Sequence, residues 1–423
     1  MALYYRSQLQ GSGSSAEVNS YYVIQGENRW LSGDPRLANL NKSTSDETII
    51  IGDNIFNTEP MNFLNWSGSA TFNSPVIVGN NCYVRFENCT NLNKPITLGK
   101  RCVCREMFRN CKNFNSTVII YNTSEINCSE MFENCYKYNQ SFNIPNGITA
   151  CYQMYSGCIE FNQPVNIPDS VNILQGMFKG CSNFNQPVKL PNSNAGCFEM
   201  FNSCTNFNQP VNIPDSIFSC SEMFASCTNF NSQVTIGNNV TNCHDMFSWC
   251  ENFNQPVNIP DSVTDCTRMF YWCMNFNSPV KFSNNMISCN SMFYVCRNYR
   301  LPINVPDGVQ NCVEMFTGCG VNHVVFGNSA NNLYHAFGNV QRDIDIYINY
   351  KGDSINVLWM FYGWGETHNN ARKNVFFNPK WTSLFKKTLN NESITGYNTT
   401  WTDMTNGFYN AQYKVYCYNN YVV

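Results

Sequence analysis

The stretch Cys266-Thr-Arg-Met-Phe-Tyr-Trp-Cys-Met-Asn-Phe-Asn277 decides the fold, because its pattern, C-x-x-M-F-x-x-C-x-N-F-N, recurs along most of the chain. From Cys135 to Cys319 the second cysteine of the motif returns every 23 residues. Near-identical units with a period of about 20 to 50 residues are typical of solenoids, in which each unit is stable only when stacked on its neighbours. The sequence therefore predicts an α/β repeat solenoid.

Each 23-residue coil is predicted to supply one short helical segment and one short parallel strand. The apolar residues between Cys220 and Cys227 occupy positions i, i+3, i+4 and i+7, which is one face of a helix or 3₁₀ turn. Val211 and Ile213 flank a polar residue, which is the alternation of a half-buried strand. After the second cysteine, a phenylalanine is predicted to stack from coil to coil, and the closing asparagine is predicted to form an internal hydrogen-bonded ladder.

Two pieces of the repeat resemble known families. The strand and turn Ile259-Pro-Asp-Ser-Val263, followed by Met269-Phe-x-x-Cys273, resembles the 23-residue leucine-rich repeats of BspA-type bacterial surface proteins. Met200-Phe201 with Phe207-Asn-Gln-Pro210 is similar to the mycoplasma lipoprotein repeat. The resemblance implies a leucine-rich-repeat-like fold and a role in adhesion or recognition at cell surfaces. Related repeats also occur in proteins encoded near phage tail genes.

The sequence predicts that the chain has three parts. Residues 1–48 lack the repeat and contain the flexible run Gly11–Ser15, so they are predicted to be a docking or attachment segment, with a frayed terminus as the alternative. Residues 49–372 are predicted to form the solenoid, regular over 82–319 and degenerate on either side. Residues 373–423 are predicted to cap the open edge of the last coil or to pair with another subunit.

Composition limits the classes of partner. A net charge of −3 and only 13% charged residues argue against a nucleic-acid partner, and no apolar run is long enough for membrane insertion. Neutral partners such as glycans or protein loops are expected. The first ten residues have neither a basic region nor an apolar core, so no secretory signal is expected. An adhesin-like protein without an export route is predicted to leave the cell by lysis, as a virion component does.

The 23 cysteines are predicted to pack mostly as buried hydrophobes. Two cysteines seven residues apart on a helix would lie about 10 Å apart, beyond the reach of a disulfide. Leu174 stands where one copy should have its first cysteine, which indicates that an apolar side chain suffices there. Disulfides between adjacent coils stay open from spacing alone.

No catalytic, metal-binding or cofactor-binding motif is found in the sequence. The acidic residues before the Met-Phe pair repeat with the coil, which favours a solvated face over the carboxylate pair of a glycosidase. The prediction is a protein that is not an enzyme and has no cofactor and no metal. These acidic residues are Glu106, Glu130, Glu199, Glu222, Asp245 and Glu314.

Two sets of residues are predicted to bind a ligand. The outward strand position alternates Asn with Lys or Thr in a 46-residue rhythm, although simple solvation is the alternative for this set. The two positions before the second cysteine are small or polar early in the array and aromatic later, which is typical of a recognition surface. Packing of these rings against the C-terminal segment is the alternative. The candidate residues are Trp249, Tyr271, Trp272, Tyr294, Lys189 and Lys281.

The sequence as a whole predicts a structural and recognition protein of a virion, associated with the tail or baseplate. It would dock onto other virion proteins and attach to a host-surface glycan or protein. The alternative is a bacterial cell-surface adhesin or interaction protein with leucine-rich repeats. A homo-oligomer is compatible with both.

Overall fold

The computed structural model divides the chain into two compact units, unit 1 (Met1–Gln209) and unit 2 (Pro210–Val423). Both units are parallel β-solenoids, since every strand pair in the described part of the chain is parallel. The described residues are 21–24, 48–51, 61–62, 71–80, 82, 84–121, 127–193, 196–352, 355–357, 360, 373–377 and 413–417.

The strands of unit 1 form one five-stranded sheet, in the order β1-β2-β4-β6-β7, and one pair, β3-β5. They are β1 (Tyr21–Ile24), β2 (Thr48–Ile51), β3 (Met61–Asn62), β4 (Val76–Val78), β5 (Val84–Arg85), β6 (Ile96–Leu98) and β7 (Val118–Ile120). Val76, Ile96 and Val118 are in register and buried, as the alternating pattern requires. Strand β1 extends this sheet into the predicted docking segment, whose flexible run lies outside the described residues.

The strands of unit 2 form two pairs, β8-β9 and β10-β11, and one five-stranded sheet, β12-β13-β14-β15-β16. They are β8 (Val211–Asn212), β9 (Val234–Thr235), β10 (Val257–Asn258), β11 (Val280–Lys281), β12 (Ile303–Val305), β13 (His323–Phe326), β14 (Ile344–Ile348), β15 (Lys373–Phe377) and β16 (Tyr413–Cys417). Strands β8 and β10 are each followed by Ile-Pro-Asp-Ser, and each pairs with the strand of the next coil. The two pairs are therefore 46 residues apart, as is the Ile-Pro-Asp-Ser sequence. Strands β15 and β16 lie in the segment predicted to cap the array.

The predicted helical segment of each coil is wrong, because none of the described residues lies in an α-helix. In the copy that starts at Cys220, successive backbone N–H groups alternate between two kinds of partner. Met223 and Cys227 donate to the carbonyl three residues earlier, at 3.1 and 3.0 Å, as in a β-turn. Glu222 and Phe224 donate to carbonyls of the next coil, at 2.9 and 3.0 Å. The segment is therefore a run of β-turns that is hydrogen-bonded to its neighbour.

Backbone torsions explain why a helix does not form. Glu222 and Ser226, each at the third position of a turn, have φ of 55° and 63°, whereas a right-handed helix requires negative φ at every residue. The predicted burial is nonetheless confirmed, because the i, i+3, i+4 and i+7 side chains of this copy have no exposed surface. A run of turns thus points inward the same side chains that a short helix would.

Aromatic rings stack into two ladders within each unit. The predicted ladder is confirmed, since Phe161, Phe184 and Phe207 stack with centroids 5.8 and 6.0 Å apart. The phenylalanine of the Met-Phe pair forms a second ladder between these rings. Phe178, for example, lies 4.4 Å from Phe184 of its own coil and 5.6 Å from Phe201 of the next coil. Such pairs add about 0.5–1.5 kcal/mol each to the burial of apolar surface.

Thiols and asparagines complete the links between coils. The 22 cysteines whose side chains the structure describes are all free and buried, as predicted for thiols that pack as hydrophobes. Second-position thiols also donate to a backbone carbonyl of the preceding coil, as Cys250 Sγ does to Phe224 O at 2.9 Å. The backbone N–H of Asn277 donates to Asn254 Oδ1 at 2.7 Å. The predicted asparagine ladder is therefore confirmed, although these two side chains are exposed and not internal.

Candidate ligand-binding surface

Four predicted site residues, Trp249, Tyr271, Trp272 and Tyr294, lie on the turns of three successive coils of unit 2 and are called the aromatic patch. Trp249 is 41% exposed, and the other three side chains are half-buried. The expectation that these rings leave the buried face is therefore confirmed. Their role in binding stays a prediction.

The patch consists of two stacked pairs of rings. Trp249 stacks on Trp272 with centroids 4.5 Å apart and planes 12° apart, and Tyr271 stacks on Tyr294 at 4.8 Å and 18°. The edge of one ring meets the face of another between Trp249 and Tyr271, at 6.2 Å. Clustered aromatic side chains offer a large contact area and lose little conformational entropy on binding, which suits a recognition surface.

The backbone beneath the patch is strained. Trp249, Trp272 and Val295 have φ of 61°, 59° and 59°, in the left-handed region that bulky and β-branched residues avoid. Holding such a residue there costs about 1–3 kcal/mol. Strain of this kind is typical of functional sites. The other copies have Asn, Gly or Ser with positive φ at this position, namely Asn88, Asn110, Asn134, Gly157, Gly180, Ser203, Ser226, Gly318 and Asn339.

Sequence reasoning missed this strain, because a helical interpretation assigns negative φ to every residue of the segment. The signal was present in the repeat itself. Asn and Gly are the residues that most readily adopt the left-handed region, and they dominate this one position along the array. Their replacement by tryptophan in two successive coils marks those coils as exceptional.

Charged side chains lie one turn before the patch in the chain. Arg268 Nη2 and His244 Nδ1 each lie 2.8 Å from Asp245 Oδ2. The hydrogen bond that His244 donates to the Asp245 carboxylate raises the pKa of His244, and burial raises the pKa of Tyr294. The acidic residues before the Met-Phe pairs were predicted to form a solvated face. Asp245, which is one of them, is instead buried in this cluster.

The two predicted lysines lie at equivalent points of the repeat, but only Lys281 is in a strand, because the described residues around Lys189 form none. Lys189 in unit 1 and Lys281 in unit 2 are both exposed, as predicted. Lys281 belongs to β11, whereas the aromatic patch belongs to the turns, so these candidates are on different segments of the coil. Val280 and Phe282, on either side of Lys281, line a groove of about 690 Å³ together with Leu301 of the next coil. The groove lies where β11 and β12 belong to different sheets.

Within the described ranges, no group of three or more His, Cys, Asp or Glu side chains is placed to hold a metal ion. The same part of the chain has no helix with the length and hydrophobicity needed to cross a bilayer. The absence of enzymatic activity, of cofactors and of nucleic-acid partners stays a prediction.

Comparison with known proteins gives a family and two distant structural relatives. The profile of a family described as "Mycoplasma protein of unknown function, DUF285" matches residues 80–188, 145–236 and 197–305, which confirms the predicted resemblance to the mycoplasma repeat. A leucine-rich repeat protein from Bacteroides ovatus is 17% identical with a TM-score of 0.45, over 75% of this chain and 82% of its own. A leucine-rich cell surface protein from Faecalibacterium prausnitzii is 15% identical with a TM-score of 0.36, over 72% and 83%. No curated protein matches the sequence.

Proposed function

The chain belongs to the DUF285 family, and from this premise we propose that it is a non-enzymatic recognition protein whose aromatic patch binds a partner at a cell surface. The observation that carries the proposal is the left-handed backbone at Trp249 and Trp272. Local backbone energetics favour Asn or Gly at this position, and the array has them in most other coils. Contact with a partner would account for keeping two tryptophans there, one of them 41% exposed.

The backbone around the patch supports a pre-formed binding surface. The N–H of Trp249 donates to Tyr271 O at 2.7 Å, and the N–H of Trp272 donates to Tyr294 O at 2.8 Å. Each tryptophan is also followed by a fully buried cysteine, Cys250 or Cys273. A surface that is held in place before binding loses less entropy when the partner docks.

The partner is proposed to be a host-surface glycan or protein. This follows the resemblance of the repeat to BspA-type surface proteins. Two settings for the chain are proposed, a tail or baseplate component of a virion and an adhesin on a bacterial cell. Both use the same binding surface, and they differ in what the rest of the chain is attached to. Tail genes beside its own gene would favour the virion, and a secretion operon would favour the adhesin.

Binding of the fluorescently labelled full chain to a panel of bacterial and epithelial cells tests the proposal. We expect saturable binding to at least one cell type and a loss of at least tenfold in the double variant Trp249→Asn/Trp272→Asn. Asn is chosen because Asn88 and Asn110 occupy the same position in other coils. Phe218→Ala is the matched control, since Phe218 is 49% exposed in the same unit but outside the patch.

Two outcomes would contradict the proposal. One is the absence of saturable binding to every cell type in the panel. The other is a double variant that binds as well as the unchanged chain, because binding would then reside elsewhere on the protein.

A further inference from the structure

The stack of indole rings stops at Trp249. One face of Trp249 contacts Trp272 of the next coil, at a centroid distance of 4.5 Å. The preceding coil has Ser226 at the same position, with the same left-handed backbone. A serine has no ring to add to the stack, so the second face of Trp249 looks towards a small side chain. This explains why Trp249 is exposed to 41% while Trp272 is half-buried.

The coil that precedes Trp249 has small side chains on either side of Ser226. Ala225 is buried, and Ser226 and Thr228 are half-buried. The backbone N–H of Ser226 already donates to Ser248 O at 2.7 Å, so a ligand in the space beside Trp249 would meet side chains and the indole. Stacked rings prefer centroid distances of about 4.5–7 Å. The space beside Trp249 therefore corresponds to the place of one further ring in the stack.

The indole face and the polar side chains near it in the sequence favour a sugar ring as the ligand. The face of an indole carries partial negative charge, whereas the axial C–H groups of a pyranose carry partial positive charge on a flat apolar face. The hydroxyl groups at the edge of a sugar need hydrogen-bond partners. Thr228 and Glu251, each two residues after the ring position of its own coil, are half-buried and offer a hydroxyl and a carboxylate. The carboxylate of Glu251 disfavours an anionic sugar.

We propose that Trp249 binds a pyranose ring of a neutral oligosaccharide, stacked over Ser226, with Thr228 and Glu251 bonding the hydroxyl groups of the sugar. The assignment rests on the proposed function and names its ligand. An organic cation would also be attracted to an indole face, and the test below separates it from a sugar.

The experiment uses saturation-transfer NMR and calorimetry on the full chain. The probes are neutral tetrasaccharides of glucose, galactose, mannose and N-acetylglucosamine, with sialyllactose as the anionic probe and tetramethylammonium as the cationic one. We expect saturable binding of at least one neutral tetrasaccharide, with the strongest transfer to C–H protons on one face of a sugar ring. Sialyllactose and tetramethylammonium are expected to bind at least tenfold more weakly.

Filling the space tests the position of the sugar. Ser226→Trp adds a third ring to the stack at a position where the next two coils already hold tryptophan, so the variant is expected to fold. It should weaken sugar binding at least tenfold, although Trp249 itself is unchanged. Ser226→Gly is the matched control, because Gly180 and Gly318 occupy this position in other coils and the space stays open. This control should bind the sugar within about threefold of the unchanged chain.

The assignment is overturned if none of the neutral tetrasaccharides binds saturably, if tetramethylammonium or sialyllactose binds best, or if Ser226→Trp binds as the unchanged chain does. In each of these cases, loss of cell binding in the Trp249→Asn/Trp272→Asn variant would still support recognition through the patch. Failure of the ligand assignment is thus distinguishable from failure of the proposed function.

Discussion

Raising the pH from 8 to 11 is expected to unfold the protein, because its core contains thiols that ionise only after unfolding. Burial raises the pKa of Cys151, Cys197 and Cys243 from the ordinary value of 9.0 to about 12. In the unfolded chain the same thiols regain the ordinary value. The stability that the neutral thiols confer is therefore complete below pH 9 and is lost as the pH rises from 9 towards 12.

The expected effect is large because many thiols act together. Each thiol with such a shift removes about 1.4 kcal/mol of unfolding free energy per pH unit above 9. Four of them would remove roughly 11 kcal/mol between pH 9 and pH 11, which is comparable to the roughly 5–15 kcal/mol that stabilises a folded domain. All 22 cysteines whose side chains the structure describes are buried. Burial raises the pKa of Tyr138 and Tyr155 as well, which acts in the same direction.

Urea unfolding followed by circular dichroism under reducing conditions measures this dependence. The midpoint should be the same at pH 7 and pH 8 and should fall steeply above pH 9. A matched variant with alanine in place of Cys243, Cys266 and Cys289, whose pKa values burial raises, should lose less stability per pH unit, whatever its stability at pH 7. A midpoint that stays constant up to pH 11 would show that the thiols are not buried as described.

Replacing Phe247 with alanine is expected to destabilise unit 2 by about 3–5 kcal/mol. Phe247 has no exposed surface, and its ring stacks on Phe253 of its own coil at 4.3 Å and on Phe224 and Phe270 of the neighbouring coils at 5.6 and 5.7 Å. The substitution leaves a cavity and removes these three ring contacts together with a fourth, to Phe230 at 6.2 Å. Because a solenoid transmits stability only through contacts between neighbouring coils, the loss should also weaken the coils on either side.

The same unit offers a matched control of equal chemistry. Phe218 is 49% exposed, so Phe218→Ala removes the same atoms from a largely solvated place and should cost less than about 1 kcal/mol. Denaturant midpoints of the two variants at pH 7 give the comparison. Equal losses would mean that the phenylalanine ladder is not the core of the unit.

Sequence periodicity predicted which side chains are buried but not the backbone that buries them. Cys220 and Phe224 are inward in the structure, as their spacing requires, yet the segment between them is a run of turns. Spacing fixes the direction of a side chain, and more than one backbone path can produce that direction. Residues with positive φ distinguish these turns from a helix. In the sequence they are visible only as Asn and Gly at one position of the repeat, and that pattern does not give their φ.

The candidate site was predicted in part. The four rings of the patch were identified because they depart from the small and polar residues of earlier coils. Their stacking in pairs depends on the distance between coils, and the free face of Trp249 depends on the serine of another coil, 23 residues away at Ser226. The lysines were grouped with the rings by exposure alone, and the structure places Lys281 on a strand, apart from the turns.

The patch tryptophans are proposed to serve binding and not folding, and the melting temperature of Trp249→Asn tests this role. Asparagine relieves a left-handed strain of about 1–3 kcal/mol. It also removes the stack on Trp272 and the edge contact with Tyr271, each worth about 0.5–1.5 kcal/mol, so the two effects offset each other. We expect a melting temperature within a few degrees of the unchanged chain. A fall as large as that of Phe247→Ala would contradict it, because Trp249 would then be part of what holds the coils together.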